Sequence, residues 1–287
     1  MKKSKRSKIP SSYVLGIPIS IWLIILVITP VILMFIMGFR LKEGYDVTDT
    51  FTLANYMQFA KNPSYWKVLL KTFRMSLTVS CCAILLSYPL AYFVSRKMKK
   101  FKELLFMLII IPLWVSYLVR IIAWRTILGN RGLINTLLMT VGLTNEPLKF
   151  FLYNEIAVVI TLTYIAVPFV FIPLYTVLEK IPKNLLDASN DLGANEFRTF
   201  LNVILPISSP GLLTGFMLSF LIALGDYIIP AQLGGSRGMM FGNIVWSQFG
   251  FASNWPMGSV MGFVLFFIAA IILAISQKFG YRQGTIE

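Results

Sequence analysis

Apolar residues in this chain come in runs that a soluble core could not absorb. Ile17–Ile36, Leu104–Val119, Ile156–Val177 and Met257–Ile275 each approach the ~20 residues that a helix needs to cross a ~30 Å hydrocarbon layer. One such run is compatible with a buried core helix, but no soluble domain has the interior to hide several. With the intervening apolar stretches they predict six spans, at 15–39, 67–95, 103–128, 152–178, 207–229 and 257–278. Lipid offers no partner for backbone N–H and C=O groups, so these spans must be helical. The expected fold class is all-α, a polytopic membrane protein. Two outer connections carry pattern of their own. Residues 131–142 place Leu133, Leu137, Leu138 and Val141 on one helical face, which predicts a short helix on the membrane surface. Residues 230–256, rich in Gly and Trp, read as an ordered outer loop, and no internal repeat is visible.

Composition supports this reading. The chain is 57% hydrophobic and 13% charged, against about 25% charged in soluble domains. Its net charge of +14 is explained by topology. With six spans both termini share one side, and that side holds fifteen Lys and Arg. They are Lys2, Lys3, Lys5, Arg6, Lys8, Arg96, Lys97, Lys99, Lys100, Lys102, Lys180, Lys183, Arg198, Lys278 and Arg282. The opposite side holds seven: Arg40, Lys42, Lys61, Lys67, Arg131, Lys149 and Arg237. The richer side belongs in the cytoplasm, so both termini are expected there and no nucleic acid partner is needed. The basic N-terminus followed by an apolar run has the charge pattern of a secretory signal. Its apolar run exceeds 20 residues without a small-residue cleavage site, so it reads as a retained first helix.

Candidate chemistry is sparse. The chain has no histidine, its cysteines are the adjacent Cys81 and Cys82 inside a span, and its twelve acids are scattered. This excludes the usual general base and any clustered metal site, so neither an enzyme nor a metalloprotein is expected. The most informative stretch is Glu179–Pro210, on the cytoplasmic side. Pro182 suits the opening of a helix, and Leu185, Leu186, Ala188, Ser189 and Leu192 continue a helical pattern. Gly193 stands where a left-handed cap would end it. Asn195 suits the N-cap of a second helix, with Phe197, Phe200, Leu201 and Ile204 on its apolar face, and Pro206 opens the fifth span. The prediction is a helix, a sharp turn and a second helix, either a docking knob or a plain re-entry hairpin.

These residues resemble the cytoplasmic loop motif of ABC-importer permeases: Glu-Ala-Ala, three residues, Gly, nine residues, Ile-x-Leu-Pro. Here Asp187, Ala188 and Ser189 fill the first places, Gly193 follows after three residues, and Val203, Leu205 and Pro206 come after nine more. The three departures are conservative and the spacing is intact. The resemblance implies a type I importer permease fold whose loop, 180–205, is a coupling helix docking on a separate ATPase. Asp187, Ala188, Ser189, Gly193, Ala194, Leu205 and Pro206 would be its coupling residues. It further implies a homologous permease as heterodimer partner, two ATPase subunits carrying the ATP and Mg, and an external solute-binding protein. No cofactor is expected in this chain, which lacks the phosphate-cradling GxxxxGK[ST]. On this reading residues 1–14 are a basic cytoplasmic N-terminus and 15–66 a first helix with its outer loop. Residues 67–278 form the permease core, and 279–287 a cytoplasmic tail, in a bacterial inner (plasma) membrane.

Longer strings resemble the spermidine/putrescine permeases of that family: IPLWVSYLVRIIAW (111–124), LPISSPGLLTGF (205–216), GDYIIPAQLGGSRGMMFGNIVWSQF (225–249) and NWPMGS (254–259). The resemblance implies a polyamine substrate; a different small cation, an anion or an amino acid is the alternative solute, and a secondary transporter the alternative class. A path for a polycation needs carboxylates, carbonyls or aromatic faces. Asp226, near the outer end of the fifth span beside Tyr227, either meets substrate or pairs with Arg120 or Arg125. Trp114 and Tyr117, i and i+3 on one face of the third span, either line the path or pack helices. Glu155 opens the fourth span, where a carboxylate suits the helix dipole.

Overall fold

The computed structural model describes residues 11–44 and 46–281; the basic residues at 2–8 and Arg282 lie outside them. In chain order the elements are α1 (Ser11–Gly38), β1 (Arg40–Glu43), β2 (Asp46–Phe51), α2 (Ala54–Lys61) and α3 (Pro63–Tyr92). Then come α4 (Lys102–Ile110), α5 (Tyr117–Leu128), α6 (Leu133–Thr140), α7 (Glu155–Lys180), α8 (Lys183–Asp191) and α9 (Glu196–Thr199). The last are α10 (Leu205–Gly225), α11 (Phe241–Phe249) and α12 (Trp255–Tyr281). Among the described residues five helices are long and apolar enough to cross a membrane, or six if the bent pair Lys102–Trp114 and Tyr117–Thr140 is taken as one span.

The third span is not the straight helix that 103–128 predicts. A 3-10 turn, Ile111–Trp114, follows α4. Val115 and Ser116 are then extended, and the chain turns through 98° before α5. Pro112, in that turn, contributes no N–H to a continuing ladder, so the helical hydrogen bonding stops where the sequence makes it weakest. Apolarity runs unbroken across the turn, which is why the pattern concealed it.

The chain divides into two compact units. One combines the residues up to Asn62 with Ser247–Phe266. Its α1 is apolar on every side and unburied, as a lipid-facing helix is. Phe35 near its end packs on Phe39 and Phe263, each at 5.0 Å between ring centroids. The β1–β2 hairpin is an addition to the all-helical expectation. It is a short antiparallel pair, Lys42 opposite Val47, turning at Gly44 with φ +65°. Buried Asn55 in α2 donates to the carbonyls of Gly38 (3.0 Å) and Arg40 (2.8 Å), fixing the exit from α1.

The second unit, Pro63–Trp246 with the residues from Phe267 on, is built on α3, α7 and α10, which pack on one another. The contact of α10 with α7 runs along Gly211 and Gly215, a small-xxx-small pair that lets backbones approach closely. A Cβ at Gly211 would lie 2.8 Å from the Pro173 carbonyl oxygen, and one at Gly215 3.0 Å from Val170 Cα. Polar bonds cross the same core. The Ser87 hydroxyl donates to the Val167 carbonyl (3.1 Å), and the Tyr88 and Ser208 hydroxyls pair at 2.7 Å. In lipid there is no hydrophobic drive between helices, so close packing and such bonds supply the attraction.

Charges collect at the two ends of α7. Glu179 accepts from Lys102 of α4 at 2.7 Å. Glu155 pairs with both Lys71 (3.3 Å) and Arg74 of α3, so its place is fixed by ion pairs and not by the helix dipole alone. The two acids are 24 residues apart, about 36 Å at ~1.5 Å per residue, a little more than the ~30 Å hydrocarbon core. The spacing puts each ionic cluster at a membrane boundary.

Candidate coupling loop and solute recess

Between α7 and α10 the chain forms the helix, turn and second helix that the sequence predicts. Pro182 stands immediately before α8, and Gly193 adopts φ +79°. Around it the Ala194 N–H donates to the Ser189 carbonyl (3.1 Å) and the Gly193 N–H to that of Asn190 (2.8 Å), the paired bonds of a left-handed helix cap. The Asn195 carboxamide oxygen accepts from the Arg198 N–H at 2.8 Å, capping α9. A hydroxyl pair, Ser189 with Thr199 at 2.9 Å, fastens α8 to α9.

The knob is anchored on its inner side. A π-turn, Phe200–Ile204, links α9 to α10; Ile204 is buried and Phe200 meets the rings of Tyr88 (5.5 Å) and Tyr92 (6.4 Å). The π-turn that ends α3 brings Arg96 to the Ile181 carbonyl (2.6 Å) and Lys97 to Glu196 (3.4 Å). The basic segment 96–102 and the loop 180–205 therefore lie at the same end of this unit. Asp187 and Ala188 are exposed, as is Gly193, whose missing Cβ would meet nothing; Ser189 and Ala194 are half-buried. Leu205 and Pro206 begin α10. Two of the four residues predicted on the apolar face of the second helix depart from it, Phe197 at 68% and Leu201 at 41% exposed, and Leu192 beside Gly193 is 89% exposed. A helical wheel cannot foresee this, because α9 lasts one turn and the π-turn resets the phase after it.

At the other end of α10 the helix stops at Gly225, and Asp226 continues in extended backbone. Its carboxylate accepts from the Ile229 N–H (2.9 Å) and from the Tyr117 hydroxyl. Neither Arg120 nor Arg125 pairs with it, contrary to the alternative that the sequence left open. Arg120 lies 5.6 Å from the Tyr117 ring centroid, and Arg125 reaches Gln232 and Tyr153, both at 3.5 Å. Tyr117, the first residue of α5 after the 98° bend, takes the contact with Asp226 instead. Tyr117, Ile222, Gly225, Asp226, Tyr227 and Ile228 line a recess of about 280 Å³.

The same bend separates Trp114 from Tyr117. They stand on opposite sides of the break and share no helix face; Trp114 is 85% exposed and is not part of the recess wall. The recess gains a neighbour that sequence reasoning missed. Trp246 of α11 stacks on Tyr227 at 6.3 Å and 16°. Two features seat α11 there. The Asn243 side chain donates to the Tyr227 carbonyl (2.7 Å), and Gly242 packs so closely that a Cβ would lie 3.0 Å from the Asp226 carbonyl oxygen. The glycines at 242, 238 and 235 were the available signal of an ordered, tightly packed segment.

The family of binding-protein-dependent transport system inner membrane components matches this chain over residues 83–279. The spermidine/putrescine transport system permease protein PotB of Haemophilus influenzae is 35% identical over 258 residues, 90% of each chain. The inner membrane ABC transporter permease protein YdcU of Escherichia coli is 34% identical over 248 residues, 82% of this chain and 78% of its own. Among solved structures, a bacterial ABC transporter importing the acidic polysaccharide alginate superposes with TM-score 0.70 at 16% identity, covering 94% of both chains. The MetNI methionine ABC transporter, inward facing, superposes with TM-score 0.58 at 18% identity, over 78% of this chain and 99% of that one. The fold is that of type I importer permeases, and the chain belongs to the family of binding-protein-dependent transport system inner membrane components, as a multi-pass membrane permease.

Proposed function

We propose that this chain forms, with a homologous membrane subunit as heterodimer partner, the path by which an ATP-driven importer admits polyamines such as spermidine and putrescine. The observation that carries the substrate is Asp226. Its carboxylate accepts from the Tyr117 hydroxyl in a recess that Tyr227 also lines, and among the described residues no Lys or Arg forms an ion pair with it. A half-buried carboxylate without a cation, beside aromatic faces, suits an ammonium group, which gains from both charge and ring. An anion would meet repulsion there. The names borne by relatives such as the Haemophilus influenzae permease support the same class.

ATP and Mg bind, on this reading, to two separate ATPase subunits, since the chain has no phosphate-cradling motif of its own. Asp187, Ala188, Ser189, Gly193 and Ala194 meet the ATPase, with Leu192 and Phe197 as the apolar contacts. Leu205 and Pro206 pass the movement into α10. An external solute-binding protein delivers the cargo. On this reading the knob and both termini face the cytoplasm, which the lysines and arginines of 96–102 support. The test is uptake of labelled spermidine by vesicles carrying the complete transporter. Wild type takes up spermidine with ATP and binding protein, and Asp226→Asn loses at least tenfold. Uptake that ignores ATP, or an Asp226→Asn variant that transports normally, overturns the proposal.

A further inference from the structure

We infer that a cavity in the angle of the broken third span, against α3 and α7, holds the acyl chain of a membrane phospholipid. Its volume is about 540 Å³. On α3 it is lined by Cys82, Leu86 and Leu90, one above another on a single helix face. On α7 the lining runs along one face from Val159 to Pro168. Leu108 and Pro112 close it from before the 98° bend and Trp124 from beyond it, so both arms of the broken span contribute a wall. Leu86 and Leu108 are each 53% exposed, so the space is not sealed within the core.

Depth and width select the occupant. Val159 and Pro168 follow Glu155 by four and thirteen residues, so at ~1.5 Å per residue the lining on α7 lies about 6–20 Å from that ionic cluster. Within a ~30 Å hydrocarbon core it starts just inside one boundary and reaches the midplane, the depth that the chains of one leaflet fill. A volume of about 540 Å³ spread over about 14 Å leaves a width of about 6 Å, too narrow for a helix, which is ~10–12 Å across with its side chains. One extended alkyl chain fits that width. The walls also exclude a charged guest. Thr161 and Thr176 of α7 donate to the carbonyls four residues back, both at 2.8 Å, whereas the Thr163 hydroxyl is buried without a partner among the residues lining the cavity. One hydroxyl cannot replace the hydration of an ammonium group, so this cavity is no second station for a cationic solute. Apolar walls at this depth accept an apolar chain.

The experiment places the complete transporter in phosphatidylcholine nanodiscs, with or without bromine midway along the acyl chains. Bromine quenches tryptophan on contact, and the emission lost in Trp124→Phe isolates the signal of Trp124, whose ring lies in the cavity wall 5.3 Å from that of Tyr164. That signal is expected to fall at least twofold in brominated discs and to ignore aqueous iodide. Val159→Phe fills the cavity and is expected to restore at least half of the lost signal. Thr163→Val keeps the shape without the hydroxyl and is expected to be quenched as wild type is. Quenching by iodide marks a watery path, and quenching by neither agent marks a site covered by the partner subunit. Bromine quenching that Val159→Phe leaves intact marks lipid outside the cavity, and quenching lost in Thr163→Val marks an occupant held by a hydrogen bond. Each of these four results overturns the inference. Should Trp124→Phe or Val159→Phe not assemble, a nitroxide on Cys82 carries the test, in a Cys81→Ser chain whose companion subunits lack cysteine. Its collisions with dissolved oxygen should exceed those with an aqueous nickel chelate at least fivefold; the reverse order, or collisions with neither, overturns the inference too.

Discussion

A close approach of α10 to α7 sets a measurable limit on what position 211 can carry. An ideal Cβ at Gly211 falls 2.8 Å from the Pro173 carbonyl oxygen and 3.0 Å from Val177 Cγ2. Ordinary contact begins near 3.4 Å, so Gly211→Ala must open the seam by about 0.6 Å against backbone. Neither helix can yield locally, because Gly215 makes a second close contact one turn further on, 3.0 Å from Val170 Cα. Overpacking of this kind costs about 1–3 kcal/mol, and the better helix propensity of alanine returns about 1 kcal/mol. The net is a loss of up to ~2 kcal/mol, or a few degrees of melting temperature at ~2–4 °C per kcal/mol. Gly211→Leu has no such compensation and is expected to prevent assembly. Thermal unfolding of the purified protein in detergent, followed by tryptophan fluorescence, reads the difference. Gly16→Ala in α1, where a Cβ meets nothing within 4 Å, is the matched control and should not fall. A Gly211→Ala protein that melts at or above wild type would refute the claim that these helices are clamped through the glycines.

Three further outcomes follow from the knob and the ionic clusters. Gly193→Val combines a β-branched side chain with φ +79°, costing about 1–2 kcal/mol locally; solute-stimulated ATPase activity should drop while membrane abundance, read by immunoblot, stays within twofold. Gly193→Asn, which tolerates left-handed backbone, should keep the knob's shape and lose less. Asn195→Ala removes the α9 cap and should cost ~0.5–2 kcal/mol, seen as faster amide exchange in residues 195–204 with α3 unchanged. Glu155→Gln removes two ion pairs, with Lys71 and Arg74, whereas Glu179→Gln removes one, with Lys102, each pair worth under ~1 kcal/mol; the first should lower the melting temperature more than the second, and the reverse order would sink the assignment.

What the sequence made legible followed from how local each signal is. Helical spans announce themselves by composition alone, and the α8 to α9 turn by a proline, a glycine and an asparagine whose backbone preferences act within five residues. The break at Val115–Ser116 was hidden because apolarity reports depth in the bilayer and says nothing of direction. The error propagated: reading 103–128 as one helix put Trp114 and Tyr117 on a shared face, which the bend undoes. Trp246 could not be placed against Tyr227 for a different reason, since nineteen positions separate them and only the packing of Gly242 on Asp226 brings them together. Phe197 failed locally, because one helical turn followed by a π-turn has no sustained period.

The clamp, the knob and the recess belong to one continuous path. Both helices that flank the knob, α7 and α10, are locked to each other at Gly211 and Gly215 and to α3 by the Ser87 and Tyr88 bonds. A helix pair locked at two successive turns resists shear, so displacement applied at the knob moves the pair as a body and does not dissipate in either helix. From Leu205 to Gly225, α10 is 21 residues long, about 32 Å at ~1.5 Å per residue. That length carries the displacement to Asp226, one residue beyond its end, where the carboxylate bonds to Tyr117 on a differently oriented helix. The bond between Asp226 and Tyr117 is therefore the joint at which motion of the locked pair is felt against α5. On the proposed function, opening it would expose the carboxylate to a ligand, and closing it would return the hydroxyl. On that same function, a recess built at that joint would be emptied and refilled by the same displacement that moves the knob.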